Sequence, residues 1–332
     1  MRFVRVFATG LLLLAAATAE AGPRLDTIKA RGSLNCGVAM DTPGLSAVDA
    51  KGGYAGFEPD LCRAIAITVF GAPRVQFKPA TTAQAFLKDD SIDVVLRGLS
   101  WTFAREANST LRFGPVYLYD GQTFLVRSDS GAKTIAALSG KTICVARETF
   151  ADFLPPLQRY FAAHTLALKT IVSTARADAL KMFFAGQCDA FTADATELAE
   201  AVIAQAPKPG VYNILSEEIT EEPLAPLLRK GDDQFFDVVR WAIFALIDAE
   251  ELGINSRNVD SLANSADPQI KTFFVASAPR FAQGWAAAIV KSIGNYGEIY
   301  ARHLGAGSPA SLVRGPNRLA AQGGLLYAPP MR

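Results

Sequence analysis

The strongest constraint on the fold is an order of predicted elements that occurs twice along the chain. The first copy runs from a strand LNCGV at Leu34 through a helix FEPDLCRAIAITVFG to a strand VQFKP, then a short helix from Ala83 to Lys88 and a strand IDVVL from Ile92. Apolar residues of the long helix recur on one face, and those of the last strand form a continuous run. Strands that alternate with helices favour right-handed crossovers, so we expect a parallel sheet.

The second copy consists of a strand TICVA from Thr142, a helix from Thr149 to about Ala163, a strand LKTIVS, a helix ADALKMFFAGQ and a strand DAFTA from Asp189. Two segments, DGQTFLVRSDSG and EEPLAPLLRKGDD, join the copies. A chain that passes twice between two units forms a natural hinge. The region after Gly231 is predicted to be helical and to pack back on the first unit.

Residues 1–21 have the layout of a secretory signal peptide. Arg2 and Arg5 precede an apolar run, and small residues end at Ala21, which predicts cleavage before Gly22. An uncleaved membrane anchor is the alternative, but the apolar run is shorter than the roughly 20 residues that span a bilayer. The predicted organisation is therefore a signal peptide over 1–21, a first lobe over 22–125, a second lobe over 126–223, and a return to the first lobe over 224–332.

The balance of charge excludes one class of partner. The chain has 332 residues, with 33 basic against 32 acidic side chains and no basic stripe. A protein that binds nucleic acid through its phosphates needs a basic surface, so we expect no nucleic-acid partner. The length allows two lobes with separate cores.

Four cysteines lie in the part of the chain predicted to be exported: Cys36, Cys62, Cys144 and Cys188. An even number in an oxidising compartment predicts two disulfides, and four buried thiols are the alternative. We predict that Cys36 pairs with Cys62 and Cys144 with Cys188, because each pair stays within one lobe and a pair between lobes would lock the hinge. Metal ligation is not expected, because no two cysteines have the close spacing of ligands and the chain has only 2 histidines.

Polar residues follow the strand IDVVL within three positions. Gly98, Ser100, Thr102 and Arg105 surround Trp101 in the stretch LRGLSWTFAR. Ligands of open α/β sheets bind outside the carboxyl ends of the strands, so this loop is a candidate site. The guanidinium fork of the arginine suits a ligand carboxylate, and a solvated loop arginine is the alternative.

The loops after TICVA and DAFTA are the candidates on the second lobe. Asp194 precedes a predicted helix and Glu197 lies three residues on, so the pair fits a capping box. Alternatively, the aspartate pairs with a ligand ammonium group. Thr149 is predicted to be the N-cap of the helix after TICVA, where an anion would sit. An arginine on one lobe, with an aspartate and a helix start on the other, suits a zwitterion.

The chain resembles the periplasmic solute-binding proteins of ABC transporters for polar amino acids, most of all the general L-amino-acid-binding subgroup. The resemblance covers nearly all of the mature chain and rests on these segments: LNCGV, GFEPDLCRAIA, IDVV followed by SWT and Arg105, YDGQTFLVR, CDAFTAD, RKGDDQFFDVVRWAIFALI, NYGE, GAGSP and GGLLYAPP. It implies an α/β, two-lobed periplasmic binding protein fold (type II), with two parallel-core sheets flanked by helices and a ligand cleft between the lobes. It also implies that Arg105 matches the family's carboxylate-binding arginine and Asp194 its ammonium-binding aspartate, with Ser100 and Thr102 in the adjoining contact loop.

Three parts of the predicted pocket depart from the subgroup. The subgroup usually has Asn-Thr-Thr where this chain has Gly98, Leu99 and Ser100. It has Gly-Thr-Thr where this chain has Glu148, Thr149 and Phe150. It usually has an aromatic residue at the position of Leu45. Fewer polar contacts and the bulk of the phenylalanine predict a narrow ligand range. If Glu148 faces the cleft it favours a cationic group, so that glutamate and aspartate bind poorly. The alternative is a solvated carboxylate stabilised by the helix dipole.

The resemblance implies a non-catalytic protein that captures an amino acid, or a related small zwitterion or carboxylate, and delivers it to the membrane permease of an ABC transporter. We expect a periplasmic monomer without a cofactor. One alternative is an enzyme on the same fold, similar to cyclohexadienyl dehydratases, with Glu148 as acid or base. Another is a sensory binding protein that reports to a membrane receptor. Turnover of a bound carboxylate would indicate the enzyme, and the neighbouring genes would indicate the sensor.

Overall fold

Strands and helices alternate through most of the chain, as the sequence predicts. The computed structural model describes residues 22–80, 82–107, 110–148, 152–208, 210–309 and 311–331. The predicted signal peptide lies outside these residues. The elements of the first part are α1 (Pro23–Arg31), β1 (Leu34–Val38), β2 (Asp41–Thr42), β3 (Ser46–Val48), β4 (Tyr54–Ala55), α2 (Phe57–Phe70), β5 (Val75–Pro79), α3 (Ala83–Lys88), β6 (Val94–Val95), α4 (Phe103–Glu106) and β7 (Leu111–Phe113).

The middle and last parts of the chain continue this alternation and end in helices. The middle part contains β8 (Leu118–Asp120), β9 (Gln122–Arg127), β10 (Thr142–Ala146), α5 (Leu154–Ala163), β11 (Lys169–Ser173), α6 (Arg176–Phe184), β12 (Ala190–Asp194), α7 (Ala195–Gln205), β13 (Tyr212–Ile214), β14 (Glu222–Leu224) and β15 (Leu227–Arg229). The last part contains α8 (Asp233–Glu251), α9 (Val259–Leu262), α10 (Pro268–Val275), α11 (Trp285–Ile293) and α12 (Tyr296–His303). No helix within the described ranges has both the length and the apolar content needed to cross a bilayer.

Two five-stranded sheets share one topology. The first has the strand order β5-β1-β6-β15-β7 and the second the order β11-β10-β12-β9-β13. In each sheet the first three strands are parallel, and the fourth runs antiparallel to both of its neighbours. The fourth strand of each sheet, β15 or β9, comes directly after the chain has crossed from the other sheet. The repeated order of elements in the sequence is therefore a repeated topology.

Each sheet and its helices form a lobe with its own apolar core. Lobe 1 is the first sheet with the helices packed on it, among them α2, α8, α11 and α12. Lobe 2 is the second sheet with α5, α6 and α7. The helical region after Gly231 packs on lobe 1. The predicted start of lobe 2 at residue 126 falls inside β9, which pairs with β12 from Gln122 onward.

Helix α5 starts later than the sequence pattern predicts. It begins at Leu154 and has Phe153 as its N-cap, so Thr149 does not cap it. Proline residues follow Leu154 in the first turn, where the missing N–H groups cost nothing and the fixed φ favours the helix. Thr149 and Phe150 lie outside the described residues.

Each lobe contains one disulfide, and both predicted pairs are confirmed. Cys36 of β1 is joined to Cys62 of α2, with 6.1 Å between their Cα atoms. Cys144 of β10 is joined to Cys188, which lies just before β12, with 5.7 Å between Cα atoms. Both bonds link a central strand to a neighbouring part of the same lobe, so the lobes remain free to move relative to each other.

The chain crosses between the lobes through β8 and β14, which we call the crossover pair. These strands run antiparallel, and Tyr119 lies opposite Pro223. The other edge of β8 is closed by a side chain from the C-terminal region. The amide of Asn317 accepts a hydrogen bond from the Tyr119 N–H at 2.8 Å and donates to the Tyr119 carbonyl at 2.7 Å. A buried asparagine thus takes the place of a third strand.

Candidate functional site

The loop after β6 is fixed against the crossover pair. Ser100 forms an isolated bridge with Leu224, and the N–H of Trp101 donates to the carbonyl of Pro223 at 2.7 Å. Because β1, β5 and β6 are parallel, this loop lies at the carboxyl edge of the sheet. The predicted contact loop is therefore located where lobe 1 meets the crossover.

Arg105 lies on the short helix α4 that continues this loop. The N-cap of the helix is Thr102, whose hydroxyl accepts from the Arg105 N–H at 3.4 Å. The guanidinium is exposed, and its Nη1 donates to the Ser100 carbonyl at 2.7 Å. Among the described residues no carboxylate pairs with it, so most of its donors are available to a ligand.

Gly98 occupies a backbone conformation that explains its residue type. Its φ is +63°, a left-handed value that glycine adopts freely and asparagine tolerates. Its N–H donates to the buried carboxylate of Glu58 at 2.5 Å, and Glu58 also accepts from the hydroxyl of Tyr117. Glycine in place of asparagine therefore keeps the backbone and removes only the side-chain amide. Leu45 packs close by, because a Cβ on Gly98 would lie 3.6 Å from its Cδ1 atom.

Asp194 lies at the end of β12, the strand of lobe 2 that corresponds to β6. The predicted capping box does not form. Asp194 makes no side-chain hydrogen bond to the start of α7, and Glu197 pairs with Arg176 at 2.8 Å. The cap comes from the crossover pair instead, where the carboxylate of Asp120 accepts from the Thr196 N–H at 3.2 Å and from the Thr196 hydroxyl.

The electrostatic surroundings of Asp194 are strongly acidic. Burial, followed by the charges of Asp120, Glu197, Glu222 and Glu218, raises the pKa of Asp194 well above its usual range. Among the described residues Asp194 forms no ion pair, and its largest influences after burial are all negative charges. A carboxylate in such a place is stabilised by a positive group from outside the protein.

Two neighbouring carboxyl groups are shifted for the same physical reasons. Burial raises the pKa of Asp120 to about 6, against the opposing effect of its hydrogen bonds to Thr196 and Gly121. Burial, with the charges of Asp120 and Glu221, raises the pKa of Glu218 to about 7. Asp120 also borders a cavity of about 30 Å³, room for roughly one water molecule, whose lining includes Glu218 and Tyr300.

Glu148 lies on lobe 2, and one oxygen of its carboxylate is hydrogen-bonded. It accepts a hydrogen bond from the backbone N–H of Arg176 at 2.6 Å, at the start of α6. A negative charge there is stabilised by the helix dipole. The helix concerned is α6, not the helix after TICVA.

Sequence reasoning missed Asp120 and Glu58, although both stand in the quoted segments YDGQTFLVR and GFEPDLCRAIA. An aspartate that ends an otherwise apolar strand was the available signal for Asp120. Its partner Thr196 is 76 residues away, so the contact itself cannot be read from the pattern. No group of three histidine, cysteine, aspartate or glutamate side chains is arranged to hold a metal in the part of the chain that the structure describes.

Two lobes of one topology, joined by a crossover pair and presenting polar loops at its two sides, define the class of two-lobed, type II periplasmic binding proteins. The family follows from the comparison with known sequences. The chain belongs to the bacterial extracellular solute-binding proteins, family 3, whose model matches residues 34–256.

Three individual proteins show how far the similarity extends. The general L-amino acid-binding periplasmic protein AapJ of Rhizobium johnstonii is 39% identical over 331 residues, which cover 97% of this chain and 96% of AapJ. The putative amino-acid ABC transporter-binding protein YhdW of Escherichia coli is 35% identical and covers 100% of this chain and 99% of its own length. A periplasmic binding protein of an ABC transporter from Brucella ovis, solved with glutathione bound, superposes with a TM-score of 0.78 at 34% identity and covers 93% of this chain and 99% of its own.

Proposed function

We propose that this chain is a periplasmic binding protein that captures an amino acid, or a related small zwitterion, and delivers it to the permease of an ABC transporter. The observation that carries the proposal is the placement of Arg105 and Asp194. They follow the corresponding strands β6 and β12, and both of their loops contact the crossover pair. The names of AapJ and YhdW support this function.

Charge complementarity supports a zwitterionic ligand. The fork of Arg105 offers donors to a carboxylate. Asp194 is influenced by four other carboxylates and forms no ion pair with a described residue, so an ammonium group would relieve the repulsion and lower the pKa of Asp194. The Ser100 carbonyl positions the guanidinium of Arg105, Glu58 holds the N–H of Gly98, and Thr102 caps the helix that carries the arginine.

In this proposal the crossover pair is the hinge. Lobe 1 comprises the residues up to Gly121 and those from Glu222 onward, and lobe 2 the residues between. Residues 41–45 of lobe 1 already approach α7, because a Cβ on Gly44 would lie 3.6 Å from Ile203. A ligand that contacts both lobes shifts the population towards the closed form, which the permease would recognise.

The position of Glu148 favours binding over catalysis. The enzyme alternative requires this carboxylate as an acid or base, but it already accepts the N–H of Arg176 at 2.6 Å. We therefore propose that the chain is not an enzyme. Prolonged incubation with each ligand should return it unchanged by mass spectrometry, and loss of water from a bound carboxylate would contradict this.

The experiment that tests the function is calorimetric titration of the mature protein, residues 22–332, with the common L-amino acids and with glutathione. Mass spectrometry of ligand carried through gentle purification should identify the natural one. We expect one binding site per chain, and light scattering should show a monomer. Failure of every amino acid and of glutathione to bind would refute the proposal.

A further inference from the structure

Arg97 is distinguished from the other half-buried arginines by its lack of a hydrogen-bond acceptor. Within the described ranges nine such arginines donate to a carboxylate or a carbonyl: Arg24, Arg31, Arg63, Arg112, Arg176, Arg229, Arg240, Arg280 and Arg314. Arg97 is half-buried as well, and its Nε is fully buried without a partner. An N–H group removed from water without an acceptor costs free energy, so the buried Nε of Arg97 favours a partner from outside the protein.

The position of Arg97 places it in the candidate site. It follows Leu96, whose N–H donates to Gly37 of the neighbouring parallel strand at 2.9 Å, and it precedes Gly98. Arg97 therefore stands at the carboxyl edge of the sheet of lobe 1, in the same loop as Arg105. This edge is where ligands of open α/β sheets bind.

Glu58 does not satisfy Arg97. The two side chains are close enough for the arginine to lower the pKa of the glutamate, but they form no ion pair. One carboxylate oxygen of Glu58 is occupied by the Gly98 N–H and the Tyr117 hydroxyl, and the other is buried without a partner. Burial, the largest effect, raises the pKa of Glu58 and so weakens its ability to neutralise the arginine.

We propose that Arg97 is a specificity-determining residue that binds a second carboxylate of the ligand. The proposal rests on the function proposed above. Arg97, Arg105 and Asp194 then complement two carboxylates and one ammonium group, so the preferred ligand is a zwitterion with an additional carboxylate. Acidic amino acids and γ-glutamyl peptides share this chemistry. The expectation that acidic amino acids bind poorly depended on Glu148, whose carboxylate is held at the start of α6.

The experiment compares ligands that differ by one charge. L-Glutamate and L-glutamine have nearly the same shape, and glutathione can be compared with its glycine amide. Calorimetric titrations of the mature wild-type protein, R97A, R97Q and R97K with these four compounds measure the contribution of the second carboxylate. R112A is the matched control, because Arg112 is a half-buried arginine of lobe 1 whose Nη1 donates to Asp233 at 2.7 Å.

In at least one pair, we expect R97A to bind the compound with two carboxylates at least tenfold more weakly than the wild type does. The affinity for the amide partner should fall by less than threefold. R97K should recover part of the loss, and R97Q should behave as R97A. Which pair responds distinguishes an amino acid from a γ-glutamyl peptide. Because the Arg97 side chain makes no hydrogen bond and its buried Nε lacks an acceptor, the unfolding temperature of R97A should be no lower than that of the wild type, and R112A should bind as the wild type does.

If R97A lowered the affinity for both members of each pair equally, or for neither, the role of Arg97 would be overturned and the proposed function would remain intact. The same conclusion follows if the wild type binds amides and neutral amino acids but neither glutamate nor glutathione. A wild type that binds no amino acid and no glutathione overturns both proposals. If R97A does not fold, R97Q decides the question, since it retains most of the side-chain stem.

Discussion

The two lobes have the same strand order, but they present opposite electrostatic problems to a ligand. On lobe 1, Arg105 is exposed and bonded to its own loop, and its donors are accessible before any ligand arrives. On lobe 2, Asp194 is half-buried among carboxylates that raise its pKa. In the function we propose, lobe 1 would make the first contact with a carboxylate, and lobe 2 would gain most from a cation when the cleft closes. One topology can thus carry two different roles in binding.

The largest expected effect on stability is the removal of the disulfide from either lobe. Closed loops of 26 and 44 residues correspond to about 3.5 and 4 kcal/mol of stabilisation in the chain-entropy model. We expect C144S/C188S to lower the free energy of unfolding slightly more than C36S/C62S, as measured by urea denaturation. A clearly greater loss from the lobe 1 pair would show that native packing around Cys36, not loop length, sets the difference.

Removal of the cation of lobe 1 should have the largest effect on binding. R105A leaves the ligand carboxylate without its partner, which should cost about 3 kcal/mol, more than a hundredfold in affinity. Calorimetric titration with the tightest ligand measures this. R127A, at an exposed arginine of lobe 2, is the control and should bind normally. Unchanged affinity of R105A would move the carboxylate site elsewhere.

Neutralising Asp194 should have two effects of opposite sign. D194N should lower the affinity for an amine-bearing ligand on the order of tenfold. The affinity for the deaminated analogue should fall much less, because only the amine loses an ion pair. Because the folded-state pKa of Asp194 is raised, its contribution to stability is lost as pH rises.

The neutral asparagine should therefore raise the unfolding temperature of the ligand-free protein at pH 7, by about 2 to 4 °C. Thermal unfolding of D194N beside E221Q, which changes an exposed neighbouring carboxylate, tests this. An equal rise in E221Q would point to a general charge effect and not to Asp194.

The smallest expected effect is a pH dependence that can be assigned to each lobe. Asp120 and Glu218 near the crossover have pKa values raised to about 6 and about 7, and burial raises the pKa of Asp248 on α8 of lobe 1 to about 6. Stability from such groups is present at low pH and lost as pH rises through these values.

The ligand-free protein should consequently unfold about 2 °C higher at pH 5.5 than at pH 8. E218Q and D248N should each reduce this difference. A bound amine ligand should reduce only the share of this temperature difference that E218Q removes. If the ligand also reduced the share that D248N removes, the assignment to the crossover would be contradicted.

The sequence predicted what is local and missed what is assembled from distant parts. Strands such as β1, β5 and β10 were found at their bounds, because a short apolar run between turn signals is sufficient. The apolar pattern of β9 does not say which sheet it joins, because pairing is decided by contacts with β12 about 70 residues later. The late start of α5 had a local signal in Pro155 and Pro156 that the longer periodicity concealed.

The candidate site divides in the same way. Arg105 and Asp194 could be named from their loops, but the acidic surroundings of Asp194 come from Asp120 on one segment and from Glu218 and Glu222 on another. Arg97 could not be singled out at all, because its distinguishing feature is the partner it lacks. No residue pattern records such an absence.

The hydrogen bonds between Asn317 and Tyr119 have a consequence for the order in which the molecule is completed. The two residues are 198 positions apart, and Asn317 lies beyond residue 256, where the match to the family ends. A chain made from its N-terminus contains both sheets and both cysteine pairs long before it contains this asparagine. The crossover pair is thus among the last parts of the fold to be completed, since the edge of β8 stays open until residue 317 has been made.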